Sequence, residues 1–81
     1  MQLTFLTRAY CHLCDEMRDA LAPLLASRAV TLTELDVDAD AALEERFGEL
    51  VPVLLVGDAD SGREICHYRL DAAAVRAALG D

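Results

Sequence analysis

The chain has 81 residues, of which 54% are hydrophobic, and it carries a net charge of −8. This length predicts a single domain over residues 1–81, and the composition argues against a disordered chain. The acidic balance argues against nucleic acid and an anionic membrane surface as partners, because both would repel it. No stretch approaches the roughly 20 apolar residues of a membrane span.

The N-terminal residues and the number of cysteines indicate the cellular compartment of the protein. The opening residues, MQLTFLTRAYC, lack the basic start, long apolar run and small-residue cleavage site of a signal peptide. Three cysteines are an odd number, whereas small secreted scaffolds usually carry an even one. We therefore expect a cytoplasmic protein. In that reducing compartment, a Cys-x-x-Cys pair is more often catalytic or metal-binding than structural.

The first elements are a strand and a helix. Gln2–Thr7 is rich in β-branched and aromatic residues, which predicts a strand. A helix is expected from about His12 to Ser27, with Pro23 kinking or dividing it. The apolar residues that fall on one face of this helix are Leu13, Met17, Leu21 and Leu24.

A second strand and a short helix follow. Thr31–Val37 predicts a strand, and the shift of apolar phase between Leu32 and Leu35 fits either a bulge or a strand covered on both faces. Asp40 is placed to N-cap the helix Ala41–Phe47.

The rest of the chain predicts a hairpin and a last helix. VPVLLVG, at 51–57, is a continuous apolar run and indicates a buried strand with Pro52 at its start. DADSG at 58–62 is typical of a turn, and REICHY at 63–68 predicts the returning strand. Asp71 is placed to N-cap the final helix.

The predicted element order is βαβαββα. A helix joins the first two strands, so they should be parallel, whereas the last two should form an antiparallel hairpin. The sequence therefore predicts an α/β fold, a four-stranded mixed sheet with helices on both faces.

Cys11 and Cys14 fall where the first strand passes into the first helix. Cys11 would lie at the helix N-terminus, where free N–H groups and the helix dipole stabilise a thiolate, the reactive form of cysteine. Cys14 lies one turn further, close enough to pair with it. We expect Cys11 to attack a substrate disulfide and Cys14 to resolve the resulting mixed disulfide.

Charged and aromatic neighbours should adjust this site. Arg8 and a protonated His12 would favour a thiolate, whereas Asp15 and Glu16 would oppose it. Tyr10 is expected to pack beside the cysteines, and Arg8 and Tyr10 are candidates for contact with a substrate. The alternatives are an ordinary exposed Arg8 or His12, and a Tyr10 partly buried at the strand end.

A short strand, then Arg8-x-x-Cys11-x-x-Cys14 and later Val51-Pro52, resembles a glutaredoxin of the thioredoxin superfamily over essentially the whole chain. The resemblance implies a thioredoxin-like fold, a cis bond before Pro52 and a Val51 backbone that pairs with an extended substrate. The implied partners are protein disulfides or glutathione mixed disulfides. Glutathione would be a co-substrate, with no tightly bound cofactor and no metal, and the protein would be a monomer.

Two features depart from that family, and the chain is most similar to its small bacterial glutaredoxin-like members. His12 and Leu13 lie between the cysteines, where glutaredoxins usually have Pro-Tyr. Cys66 and His67 stand where the family has the Gly-Gly pair that makes room for glutathione, and Tyr68 follows them. The resemblance therefore implies redox activity but leaves glutathione binding open.

Two other functions stay open. A closed zinc site wants four ligands, and the cysteine pair could be joined by Cys66 and His67. Adjacent strand residues point to opposite faces, however, so these two cannot easily bind one ion together. Cys66 is better interpreted as a small core residue. A non-enzymatic interaction module would keep the fold without turnover.

Overall fold

The computed structural model describes all residues, 1–81. It contains four strands, three helices and a short 3₁₀ turn at Val37–Ala39. The strands are β1 (Gln2–Thr7), β2 (Thr31–Asp36), β3 (Val53–Val56) and β4 (Arg63–His67), and the helices are α1 (His12–Leu25), α2 (Ala41–Phe47) and α3 (Ala72–Ala78). None of these helices is long and apolar enough to cross a membrane.

The four strands form one mixed sheet in the order β2-β1-β3-β4. β1 runs parallel to β2, from Gln2 opposite Thr31 to Thr7 opposite Asp36. β1 runs antiparallel to β3, and β3 runs antiparallel to β4. The parallel first pair, the hairpin and the mixed sheet are therefore as the sequence predicts. Because β1 and β3 are antiparallel neighbours, the end of β1 and the start of β3 lie at the same edge of the sheet as the start of α1.

Helices pack on both faces of the sheet because the side chains of β1 alternate between them. On one face, Leu3 and Phe5 pack with Met17 and Leu21 of α1 and Val75 of α3. On the other face, a second cluster of buried residues joins the sheet to α2 and the turn before it: Leu6, Val37, Leu43, Val53 and Leu55. The α/β fold with helices on both faces is confirmed.

Local capping sets the helix ends. The Asp40 carboxylate accepts hydrogen bonds from two N–H groups of the first turn of α2, and the Asp71 carboxylate accepts one from Ala74 in α3. Both predicted N-caps are confirmed. α1 continues through Pro23 as one helix of 14 residues. The proline lies on an exposed stretch of the helix. Of its two predicted effects, division of α1 is wrong, and a kink at Pro23 stays a prediction.

β2 differs from its expected environment. It lies at the edge of the sheet, pairs with β1 in an unbroken register, and leaves Leu32 39% exposed. The predictions of a bulge in this strand or of cover on both faces are therefore wrong. The irregular pairing occurs instead between β3 and β4, at Leu54 and Leu55.

Candidate redox site

The cysteine pair lies where β1 passes into α1. Cys11 is the N-cap residue of α1, and its sulfur accepts a hydrogen bond from the Cys14 N–H at 3.1 Å. The two Cα atoms are 5.2 Å apart, and the sulfurs are joined as a disulfide. The local fold of the helix start thus brings the two sulfurs together, as the spacing predicts.

The two sulfurs differ in access to solvent. Cys11 is partly exposed at the tip of the helix, whereas Cys14 has only 1% of its surface exposed. His12, between them, is exposed and makes no hydrogen bond through its ring. A partner molecule can therefore reach Cys11 but not Cys14.

The acidic residues after the pair are only partly balanced. The Asp15 carboxylate pairs with Arg18 at 2.8 Å, and Arg18 also pairs with Glu34 at 2.7 Å. The hydrogen bond from Arg18 holds the pKa of Glu34 below its usual value. Glu16 takes part in no ion pair. Of the two acidic residues expected to oppose a Cys11 thiolate, Glu16 is therefore the one without an ion pair.

Arg8 is engaged away from the sulfurs. Its guanidinium donates to Asp38 at 2.9 and 3.0 Å, to Glu44 at 3.3 Å and to the Gly48 carbonyl at 3.0 Å. The hydrogen bond to Asp38 is the main cause that raises the pKa of Arg8. Arg8 thus ties the end of β1 to the end of α2. Contact of Arg8 with a substrate stays a prediction.

Tyr10, immediately before Cys11, is 104% exposed and has a φ of 59°. This left-handed backbone belongs to a turn between β1 and α1, and it is uncommon for a residue other than glycine. The side chain therefore stands out in solvent. The expectation that Tyr10 packs beside the cysteines, or lies partly buried at the strand end, is wrong, although the residue adjoins the site.

Val51 and Pro52 lie at the same edge of the sheet as the cysteines. Val53 pairs with Leu6, so Pro52 comes level with the end of β1. The Val51–Pro52 peptide bond is cis, and Pro52 is buried while Val51 is partly exposed. Val51 forms no backbone hydrogen bond, either through its N–H or through its C=O. This segment therefore presents an unpaired donor and acceptor at the edge that holds the cysteines.

Tyr68 fastens this segment and was missed as a site residue by sequence reasoning. Its N–H donates to the Pro52 carbonyl and its phenol hydroxyl to the Glu49 carbonyl, both at 2.9 Å. One residue therefore holds both ends of the stretch that contains Val51. The backbone of Tyr68 is left-handed, with a φ of 65°. No sequence signal marks this, because tyrosine rarely adopts that conformation.

Cys66 and His67 separate as their adjacent positions on β4 require. Cys66 lies in the core with 8% of its surface exposed, and burial raises the pKa of its thiol. The prediction that it is a small core residue is confirmed. His67 is exposed, and its Nδ1 lies 3.0 Å from a Glu64 carboxylate oxygen. No three or more His, Cys, Asp or Glu side chains are grouped so as to hold a metal ion.

Solved structures of similar chains share this architecture. The XcR50 protein from X. campestris is 40% identical, with a TM-score of 0.73, over 96% of this chain and 95% of that one. Protein Ne2328 from Nitrosomonas europaea is 31% identical, with a TM-score of 0.80, over 95% and 88%. Oxidised mitochondrial thioredoxin 3 from Saccharomyces cerevisiae is 18% identical, with a TM-score of 0.71, over 99% and 76%. This last likeness concerns the fold, which is that of thioredoxin.

The family model described as "Glutaredoxin-like domain (DUF836)" matches residues 2–80. The match extends from β1 through the cysteine pair, the Val51–Pro52 segment and α3. Together with the thioredoxin fold and the paired Cys11 and Cys14, it places the chain in the thioredoxin superfamily. The protein belongs to the glutaredoxin-like domain family.

Proposed function

We propose that this protein is a thiol–disulfide oxidoreductase of the glutaredoxin type. The observation that carries the proposal is the asymmetry of the cysteine pair. Cys11 is accessible at the N-cap of α1, while Cys14 is buried one turn further along the helix. Exchange with outside disulfides uses an exposed attacking sulfur and a second thiol that resolves the mixed disulfide.

The start of α1 supports Cys11 as the nucleophile. The Cys14 N–H that points at the Cys11 sulfur is one of the free donors of the first helical turn. This donor and the helix dipole both stabilise negative charge on that sulfur. A thiolate at Cys11 is therefore favoured by the backbone itself, whatever the contribution of Arg8.

The reaction proceeds by two exchanges. In the reduced protein, Cys11 loses its proton to solvent and its thiolate attacks a substrate disulfide. That disulfide breaks, one substrate thiolate leaves and is protonated, and Cys11 is held in a mixed disulfide. Cys14 then loses its proton and attacks the Cys11 sulfur, which releases the second substrate thiol and closes the protein disulfide. The substrate gains two electrons and two protons, and the protein loses them.

The Val51 backbone is the proposed platform for the substrate. Its N–H and C=O lie at the redox edge of the sheet and have no hydrogen-bond partner in the backbone network. An extended peptide can pair with such groups by strand addition. Pro52 fixes the direction of this segment, and Tyr68, which follows β4, donates hydrogen bonds to the Glu49 and Pro52 carbonyls on either side of Val51. Arg8 and Tyr10 are the further proposed substrate-binding residues.

The proposed setting is the cytoplasm, with the protein acting as a monomer and with no tightly bound cofactor. Protein disulfides or glutathione mixed disulfides are the proposed substrates. Two glutathione molecules would return the oxidised protein to its dithiol form and leave as one glutathione disulfide. The net charge of −8 supports the absence of nucleic acid and anionic membrane partners, because it repels both.

The variant Cys14→Ser tests the mechanism. Without the resolving thiol, a mixed disulfide on Cys11 should persist after exposure to a disulfide peptide or to glutathione disulfide. Intact mass and peptide mapping would locate the adduct. Cys11→Ser is the matched control, and its buried Cys14 should react far more slowly. A Cys14→Ser protein that forms no adduct with any disulfide would contradict the proposed function.

A further inference from the structure

A groove of about 560 Å³ lies between α1 and the connection from β4 to α3. Its apolar floor is formed by Leu13, Met17 and Ala20 of α1 and by Leu70 across from them. Tyr68 and Arg69 complete the second wall of this α1–Tyr68 groove. A volume of this size accommodates one or two amino-acid side chains, and binding sites typically combine an apolar floor with a few polar groups.

The groove adjoins the redox site through Leu13 and Tyr68. Leu13 lies between the two cysteines, and Tyr68 is bonded through its N–H to the Pro52 carbonyl. One wall of the groove is thus fixed to the segment that carries Val51. A chain that pairs with Val51 and presents a sulfur to Cys11 would therefore place its neighbouring residues over the groove.

The charged side chains at the rim of the groove carry a net negative charge. Glu16 and Asp19 lie on the α1 wall, and neither takes part in an ion pair, whereas Asp15 pairs with Arg18. Arg69 is the single cation on the opposite wall and is also without an ion pair. Two free carboxylates therefore face one free guanidinium across an apolar floor, within a chain of net charge −8. The rim complements a positively charged guest.

We propose that the α1–Tyr68 groove binds the polypeptide segment beside the cysteine of a protein disulfide. An aliphatic side chain of that segment lies on the Leu13–Met17 floor, and a lysine or arginine side chain reaches Glu16 and Asp19. This inference rests on the proposed function and names its substrate class. Glutathione is then the weaker substrate, because its two carboxylates outweigh its one ammonium group and it brings no aliphatic side chain to the groove.

Reduced Cys14→Ser protein gives a direct assay. Cys11 would attack three disulfides, each carrying thionitrobenzoate as the leaving thiolate: a Leu-Cys-Lys peptide, a Leu-Cys-Glu peptide and glutathione. Each attack forms a Cys11–substrate disulfide and releases one coloured thiolate, so the rate is measured by absorbance. We expect the lysine peptide to react about three- to tenfold faster than the glutamate peptide, the range given by two exposed charge pairs.

Two variant pairs separate the groove from the overall charge. Glu16→Gln with Asp19→Asn should remove the preference for the lysine peptide, whereas Glu45→Gln with Asp60→Asn removes the same charge away from the groove and should keep it. Ala20→Arg should block the groove, whereas Ala22→Arg adds the same side chain to another exposed position of α1 and should not. Circular dichroism would verify that each variant is folded.

The outcomes are distinguishable. A lysine preference that is lost in the groove variants and kept in both controls supports the proposal. Equal rates with both peptides, or equal losses in the groove and control variants, overturn it while leaving the oxidoreductase intact. A faster reaction with the glutathione disulfide than with the lysine peptide also overturns it. If Cys11 reacts with none of the three disulfides, the proposed function fails and this inference fails with it.

Discussion

The phenol hydroxyl of Tyr68 donates a hydrogen bond to the Glu49 carbonyl, across a separation of 19 residues. Through this bond and its own N–H, Tyr68 fixes the segment that leads into Pro52. The loop that would receive a substrate is thereby tied to the end of β4. Its position is set by two hydrogen bonds from one residue that belongs to neither core cluster.

Tyr68→Phe removes that hydroxyl and keeps the ring. The loss of one hydrogen bond should lower the free energy of unfolding by about 0.5–1.5 kcal/mol, as measured by urea denaturation. Attack of Cys11 on a disulfide peptide should slow through a higher KM, while alkylation of Cys11 by iodoacetamide should keep its rate. Thr31→Val removes an unbonded exposed hydroxyl from β2 and is the control. Equal slowing of both reactions would argue against a positioning role.

Arg8→Ala should destabilise the protein by freeing Asp38, Glu44 and the Gly48 carbonyl. The loss should shrink in high salt, because the broken contacts are partly exposed ion pairs. Arg63→Ala removes an arginine without an ion pair and should change stability little. The alkylation rate of Cys11 decides between two roles. An unchanged rate in Arg8→Ala indicates a structural arginine, and a marked fall would instead support the electrostatic role expected from the sequence.

Acid should weaken the protein through Glu34. The hydrogen bond from Arg18 holds the pKa of Glu34 below its ordinary value of 4.5. A carboxyl group whose pKa is lower in the folded state stabilises the fold above its unfolded pKa, and this contribution disappears as the pH falls through the folded pKa. The free energy of unfolding of the wild-type protein, measured from pH 7 downwards, should fall below about pH 4.5. This fall should be smaller in the Glu34→Gln variant. The control variant Glu45→Gln breaks no ion pair and should show the same fall as the wild-type protein. Identical profiles of unfolding free energy against pH for the two variants would count against the Arg18–Glu34 contact.

Cys66 should react much more slowly than Cys11 in the reduced protein. Burial raises the pKa of its thiol, so less thiolate forms near neutral pH, and the core also blocks the reagent. Timed alkylation with peptide mapping should label Cys11 well before Cys66. In urea the difference should vanish. Fast native labelling of Cys66 would mean that β4 opens readily or that the core at this strand is loose.

Local signals in the sequence predict much of this fold. The apolar run around Val53–Val56 gives a buried central strand, and the aspartates at 40 and 71 cap their helices through contacts only a few residues away. The cysteine pair is likewise predictable from local sequence, because its geometry follows from one turn of α1. Such features depend on neighbours along the chain and are visible without the tertiary structure.

The features that sequence reasoning missed depend on distant partners. The exposure of Leu32 follows from the edge position of β2, which is decided by the order of all four strands. The contacts of Arg8 lie 30 to 40 residues away. The left-handed backbones of Tyr10 and Tyr68 run against the preference of tyrosine. For these residues the tertiary structure overrides the local pattern.

The most direct test of the central claim is the mass of the intact wild-type protein through a redox cycle. Mild oxidation of the reduced protein should remove two hydrogens, and peptide mapping should assign the loss to a Cys11–Cys14 disulfide. Reduced glutathione or a dithiol should restore the original mass, with any transient adduct on Cys11. A protein that forms no such disulfide, or whose disulfide cannot be reduced without unfolding, would contradict a role in thiol–disulfide exchange.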